Sequence, residues 1–99
     1  MQDDWKTALA KSNIPEHMQG GMERWIEHGI RPGSFLTAVL SNDLRGAFER
    51  ADSDNVLLIR DYLVFLYNYA PMGCWGSEHA FRTWEKDKLE AKERVERGR

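Results

Sequence analysis

The densest apolar run in the chain is Val56 to Tyr69 (VLLIRDYLVFLYNY), where eleven of fourteen residues are apolar or aromatic. These residues do not alternate with polar ones, which excludes a half-buried strand. Arg60 and Asp61 interrupt the run, and the apolar stretch beyond them is well short of the roughly twenty residues that span a bilayer. A soluble core helix is the remaining reading. Leu58, Tyr62, Phe65, Leu66 and Tyr69 fall on one helical face, and Val56, Ile59, Leu63 and Leu66 form a flanking stripe. So wide an apolar surface must be covered from more than one side. Residues 55–69 are therefore expected to be the central helix of the fold, with a mostly buried first half and with Arg60 and Asp61 at the surface or paired.

The same periodicity places helices on both sides of this run. Trp5, Ala8 and Leu9 share a face of a short helix over residues 3–12. Asn13-Ile14-Pro15 is a boundary, because proline disfavours helix in the residue before it and suits the start of the next. Met18, Met22, Trp25, Ile26 and Gly29 then line one stripe of a helix that Gly29 is suited to end. The opposite stripe is unusual: His17, Gly21, Arg24 and His28 share it. Gly20 and Gly21 each lower helix propensity by about 1 kcal/mol relative to alanine, so they serve close packing or open a groove. Pro32 and Gly33 mark a turn, Ser34 is placed to cap the helix SFLTAVL, and Ser41-Asn42-Asp43 is a second break before Leu44, Ala47, Phe48 and Ala51. Asp52 to Asn55 suits the start of the central helix. Its DxDN pattern lacks the glycine and the glutamate of a calcium loop, since Leu57 and Leu63 stand at those two positions.

Ala70-Pro71 ends the central run, Met72 to Gly76 forms a compact connection, and Ser77 is placed to cap a last helix anchored by Phe81 and Trp84. From residue 85 to 99 nearly every position is charged or small, which predicts a solvated helical extension that frays. The fold class is all-α: one domain over residues 1–99, a bundle of about five to six helices around the central one, with a charged C-terminal helix.

Composition narrows the function classes. With 41% hydrophobic and 30% charged residues, the chain has the make-up of a globular protein and not of a disordered one. A chain of 99 residues buries only about two thirds of its unfolded surface, so self-association into a homo-oligomer is expected. The formal charge of −2 is evenly spread, with six basic and seven acidic residues up to position 50 and eight and nine after it. No strongly basic face is available for duplex nucleic acid. The single cysteine, Cys74, excludes an internal disulfide and fits a reducing compartment. The first twelve residues have acids first and no long apolar run, unlike a secretory signal.

The strings IPEHMQGGMERWIEHGIRPGSFLTAVLSNDLRGAFERAD and FLYNYAPMGCWGS, about half of the chain, resemble a group of small uncharacterised proteins encoded by tailed phages and prophages. The resemblance brings no catalytic motif with it. It implies a viral accessory protein in the cytoplasm of a bacterial host, in a setting where small proteins antagonise host defence by capturing a signalling molecule or by blocking an effector.

Several residues have the chemistry for a site. Cys74 and His79 are of the types used as nucleophile and base, but their spacing matches no protease signature. His17, His28, His79 and Cys74 lack the paired spacing of a zinc site. The chain has no dinucleotide-binding glycine motif, no Walker loop and no nucleophile elbow, and no cofactor is implied. A binding site is the sharper expectation. Ser34 and Ser77 each open a predicted helix next to an arginine, Arg31 and Arg82, an arrangement that suits a phosphate. Tyr67, Tyr69 and Trp75 offer flat faces for a base, and Asn68 can read its polar edge. The expected ligand-binding set is thus Arg31, Ser34, Asn68, Tyr69, Trp75, Ser77 and Arg82, with no catalytic and no metal residues. The function expected is sequestration of a small anionic ligand such as a host defence nucleotide. The alternative is direct inhibition of a host defence protein through the stripe at residues 18–26 or the charged final helix.

Overall fold

In the computed structural model, which describes residues 4–97, the chain is all-helical: no strand occurs among the described residues. These residues form seven helices, in order α1 (Asp4–Lys11), α2 (Glu16–His28), α3 (Ser34–Leu40), α4 (Leu44–Arg50), α5 (Ser53–Val56), α6 (Ile59–Asn68) and α7 (Glu78–Arg97). The helix count exceeds the five to six expected because the central run is broken. Asp52 caps α5 by accepting from the Asn55 amide at 2.7 Å, and Asn55 is itself buried, where its Oδ1 accepts from the Tyr62 hydroxyl at 2.6 Å. That bond ties α5 to α6. The helix restarts only at Ile59, leaving Leu57 83% exposed. The buried residues of α6 are Tyr62, Phe65 and Leu66, so the covered part of the run is its middle, and the expected mostly buried first half is only partly covered. Arg60 is exposed, and Asp61 accepts from Asn13 Nδ2 at 3.1 Å.

The best-anchored side chain lies in α2. Trp25 is fully buried and stacks on Phe81 of α7, with ring centroids 4.2 Å apart and planes within 10°. Its indole Nε1 donates to the Cys74 carbonyl at 2.9 Å, and its own carbonyl accepts from Trp84 Nε1 at 3.0 Å and from the Gly29 amide at 2.9 Å. One residue thus ties α2 to the α6–α7 connection and to α7. Met22 and Ile26 are buried beside it, which removes the Met/Trp stripe as a contact surface for another protein.

Gly29 ends α2 in the left-handed conformation, with φ of 66°. A Cβ added there would lie 2.7 Å from Lys88 Cβ and 3.4 Å from Glu85 Cα, so glycine also lets α7 cross the end of α2. The connection before α7 uses Gly73 and Gly76 at positive φ, and the Gly76 amide donates to the Leu40 carbonyl at 2.9 Å, fastening it to the end of α3. Beyond this docked first half, α7 leaves the body. Leu89 to Glu96 are exposed; residues 98 and 99, the end of the expected extension, lie outside the described part. No described helix is long and apolar enough to cross a membrane.

Candidate functional site

The polar face of α2 explains one glycine of the pair. A Cβ at Gly20 would come 3.1 Å from Arg24 Nη1, and one at Gly21 would stand 3.9 Å from Arg24 Nη2 and 3.6 Å from Leu36 Cδ1. The bare backbone at Gly20 therefore gives the Arg24 guanidinium room beside the helix, whereas a Cβ at Gly21 would make only ordinary contacts; each interior glycine costs about 1 kcal/mol of helix propensity. Beside the guanidinium is a hollow of about 310 Å³ lined by His17, Arg24 and Arg31, with Gly21, Gly33 and Leu36 among its walls. No carboxylate lines it.

Across Arg31 and Pro32, which both hollows share, a larger cleft of about 610 Å³ opens between α3, α4 and α7. Arg31, Arg50 and Arg82 line it together with the hydroxyls of Ser34, Thr37 and Ser41, the carboxylates of Asp43 and Glu78, and the ring of Phe81. Arg31 is fixed at the boundary. Its Nε and Nη2 donate to both oxygens of Glu85 at 3.0 and 2.9 Å, and its guanidinium lies 5.1 Å from the centre of the Phe81 ring. This hydrogen-bonded pairing raises the Arg31 pKa further and holds the Glu85 carboxyl below the usual carboxylate range. Glu85 lines neither hollow.

Of the seven residues expected to bind a ligand, Arg31, Ser34 and Arg82 come together at the cleft. The others do not join them. Ser77 caps α7, its Oγ accepting from the Ala80 amide at 3.0 Å. Ser34 is no cap, because the capping position of α3 is Gly33 and the serine is the first helical residue, which leaves its hydroxyl for the cleft. Asn68 and Trp75 line a separate groove of about 560 Å³ with Arg60 and Tyr67, and Asn68 Nδ2 already donates to the Val64 carbonyl at 3.0 Å. Tyr69 faces a further hollow of about 580 Å³ between α1 and α6, with Lys11, Asn13 and Asp61.

His17, Arg24, Arg50, Thr37 and Ser41 were not expected at the site. The shared face of His17, Gly21 and Arg24 was a usable signal, but its meeting with Arg31 depends on the reversal at Gly29. Cys74 is fully buried, and burial pushes its thiol up to about 12. His79 is exposed. A protonated, closed-off thiol is a poor nucleophile, so the Cys74–His79 pairing gains no support. Among the described residues no three His, Cys, Asp or Glu side chains gather as a metal-binding group. No family model, characterised protein or solved structure matches this chain.

Proposed function

We propose that the protein is a noncatalytic viral accessory protein that captures a small anionic ligand, such as a signalling nucleotide of bacterial defence, and withholds it from the host. The observation that carries this reading is the hollow ringed by His17, Arg24 and Arg31 without a carboxylate. Arg24 can donate fork-like, charge-assisted hydrogen bonds to phosphate oxygens in such a concave site, while Arg31, whose Nε and Nη2 are engaged by Glu85, adds positive charge beside it. The adjoining cleft adds hydroxyls, and its volume is in the usual range for a small-molecule site. The phage-protein resemblance supplies the setting, the cytoplasm of an infected bacterium, and a homo-oligomer is the proposed working form.

Calorimetry and thermal shift with a panel of mono-, di- and cyclic nucleotides test the reading. Ligand at about 100 times its Kd is expected to stabilise the protein by about 2.7 kcal/mol, and mass spectrometry is expected to recover it unchanged. The substitution Arg24→Gln is expected to weaken binding about tenfold or more, the loss of a charge-assisted contact. A panel in which no nucleotide binds overturns the proposal.

A second reading, direct binding to a host defence protein, is favoured by a specific observation. Leu57, Tyr67 and Met72, on or beside α6, are 83%, 82% and 97% exposed and offer apolar side chains to a partner. A stable complex with a host protein in pull-down, lost on Tyr67→Ser and unaffected by Arg24→Gln, would select this reading over the first.

A further inference from the structure

We infer that the two hollows on either side of Arg31 divide one ligand between them: the small basic hollow takes a phosphate, and the larger cleft takes an uncharged part bearing hydrogen-bond donors. The ligand class is then a phosphorylated hydroxyl- or amino-bearing molecule and not a bare polyanion. This inference rests on the anion-capture reading and concerns the same site.

The charges in the two spaces differ in kind. No carboxylate lines the small hollow, and of its two arginines Arg31 is already held from outside by Glu85. Arg24 lies beside Gly20 and forms no ion pair among the described residues. In the cleft the three arginines are each already engaged, and two carboxylates stand among them. Arg82 Nη2 donates to Glu78 Oε2 at 2.9 Å, Arg50 Nη1 donates to the Gly46 carbonyl at 3.3 Å, and Asp43 brings a second carboxylate. A second phosphate placed there would sit beside two groups of its own sign, which repel it.

What the cleft offers instead is acceptors. Glu78 has one oxygen on Arg82 and a second with no hydrogen-bond partner among the described residues. Thr37 Oγ1 donates its proton to the Pro32 carbonyl at 3.2 Å and so can only accept from a ligand. Such a surface recognises the hydroxyls of a sugar or the amino group of a base, with the Phe81 ring as an apolar side wall. Arg31 belongs to both spaces and is held by Glu85, which enters neither, so it marks the point where the phosphate joins the rest of the molecule.

Titration calorimetry with three probes tests this: inorganic pyrophosphate, ribose 5-phosphate and adenosine 5′-monophosphate. The two donor-bearing probes are expected to bind the full chain about tenfold more tightly than pyrophosphate, the worth of one hydrogen bond to a charged acceptor. Glu78→Gln, on the exposed face of α7, is expected to weaken the donor-bearing probes and to strengthen pyrophosphate. Arg24→Gln is expected to weaken all three by a similar factor. Pyrophosphate binding as tightly as the others, or Glu78→Gln shifting all three alike, overturns the inference while anion capture stands. Binding of none of these probes, and of no nucleotide in the wider panel, removes anion capture and this inference with it.

Discussion

α2 and α6 bury the same number of residues and use the remainder in opposite ways. α6 is almost wholly apolar, yet only Tyr62, Phe65 and Leu66 are covered, and Val64 and Tyr67 face outward. α2 is interrupted by two glycines and several charges, yet its three buried residues, Met22, Trp25 and Ile26, include the centre of the fold. Apolar density and structural weight are therefore separate quantities. Trp25 dominates because it combines a large stacked ring with a hydrogen-bond donor and a carbonyl that accepts twice. The outer face of α2 is then free to be a basic hollow, whereas the outer face of α6 carries Val64 and Tyr67 between Arg60 and Asn68.

The substitution expected to erase this contrast most severely is Trp25→Ala. It removes the stack on Phe81 and strands the Cys74 carbonyl, and a loss of about 3–5 kcal/mol is expected in urea denaturation. Gly29→Ala comes next. It forces an L-residue into the left-handed region, at about 1–2 kcal/mol, and crowds Lys88, so the thermal midpoint is expected to fall by more than the backbone term alone. Tyr62→Phe leaves Asn55 Oδ1 buried without its donor, and a loss of about 1–3 kcal/mol is expected by chemical denaturation. Tyr67→Ser should change monomer stability by no more than about 0.5 kcal/mol. If it lowers a concentration-dependent melting point, that face of α6 is covered in solution by another chain.

The smallest effect concerns pH. Glu27 and Glu85 are held below their ordinary carboxylate value of 4.5 by hydrogen bonds from Lys6 and Arg31. Their folded values lie below the unfolded ones, so their contribution is complete above the unfolded value and fades as pH falls through the folded value. Glu85→Gln is expected to flatten the acid limb of a pH–stability curve slightly, since water reaches both members of the Arg31 pair.

The helical class and the ends of most helices were legible in the sequence because they rest on local chemistry. Periodicity, the stop at Gly29 and the caps at Asp43, Asp52 and Ser77 act within a turn or two of the backbone, where spacing alone is informative. What escaped depends on contacts made at a distance. The break at Leu57 accompanies the bond between Tyr62 and Asn55, whose side chains the periodicity ranked only by polarity. The site was half legible for the same reason. Arg31, Ser34 and Arg82 stood out through their places near turns and helix starts. The partnership of Arg31 with Arg24 and His17 arises only when the chain reverses at Gly29. Asn68 and Trp75 share one groove, but Tyr69, next to Asn68 in sequence, points from another side of the helix end into a different one.

The burial of Cys74 makes the connection between α6 and α7 a clock for its own opening. The thiol is closed to solvent and held protonated up to about pH 12, so an alkylating reagent is refused twice while the native contacts hold. It is also the sole thiol in the chain, and its carbonyl is the anchor of the Trp25 indole. Each labelling event therefore records one moment when that anchor was released. The rate of alkylation in native buffer would read out the free energy of this local opening, with no probe added to the sequence.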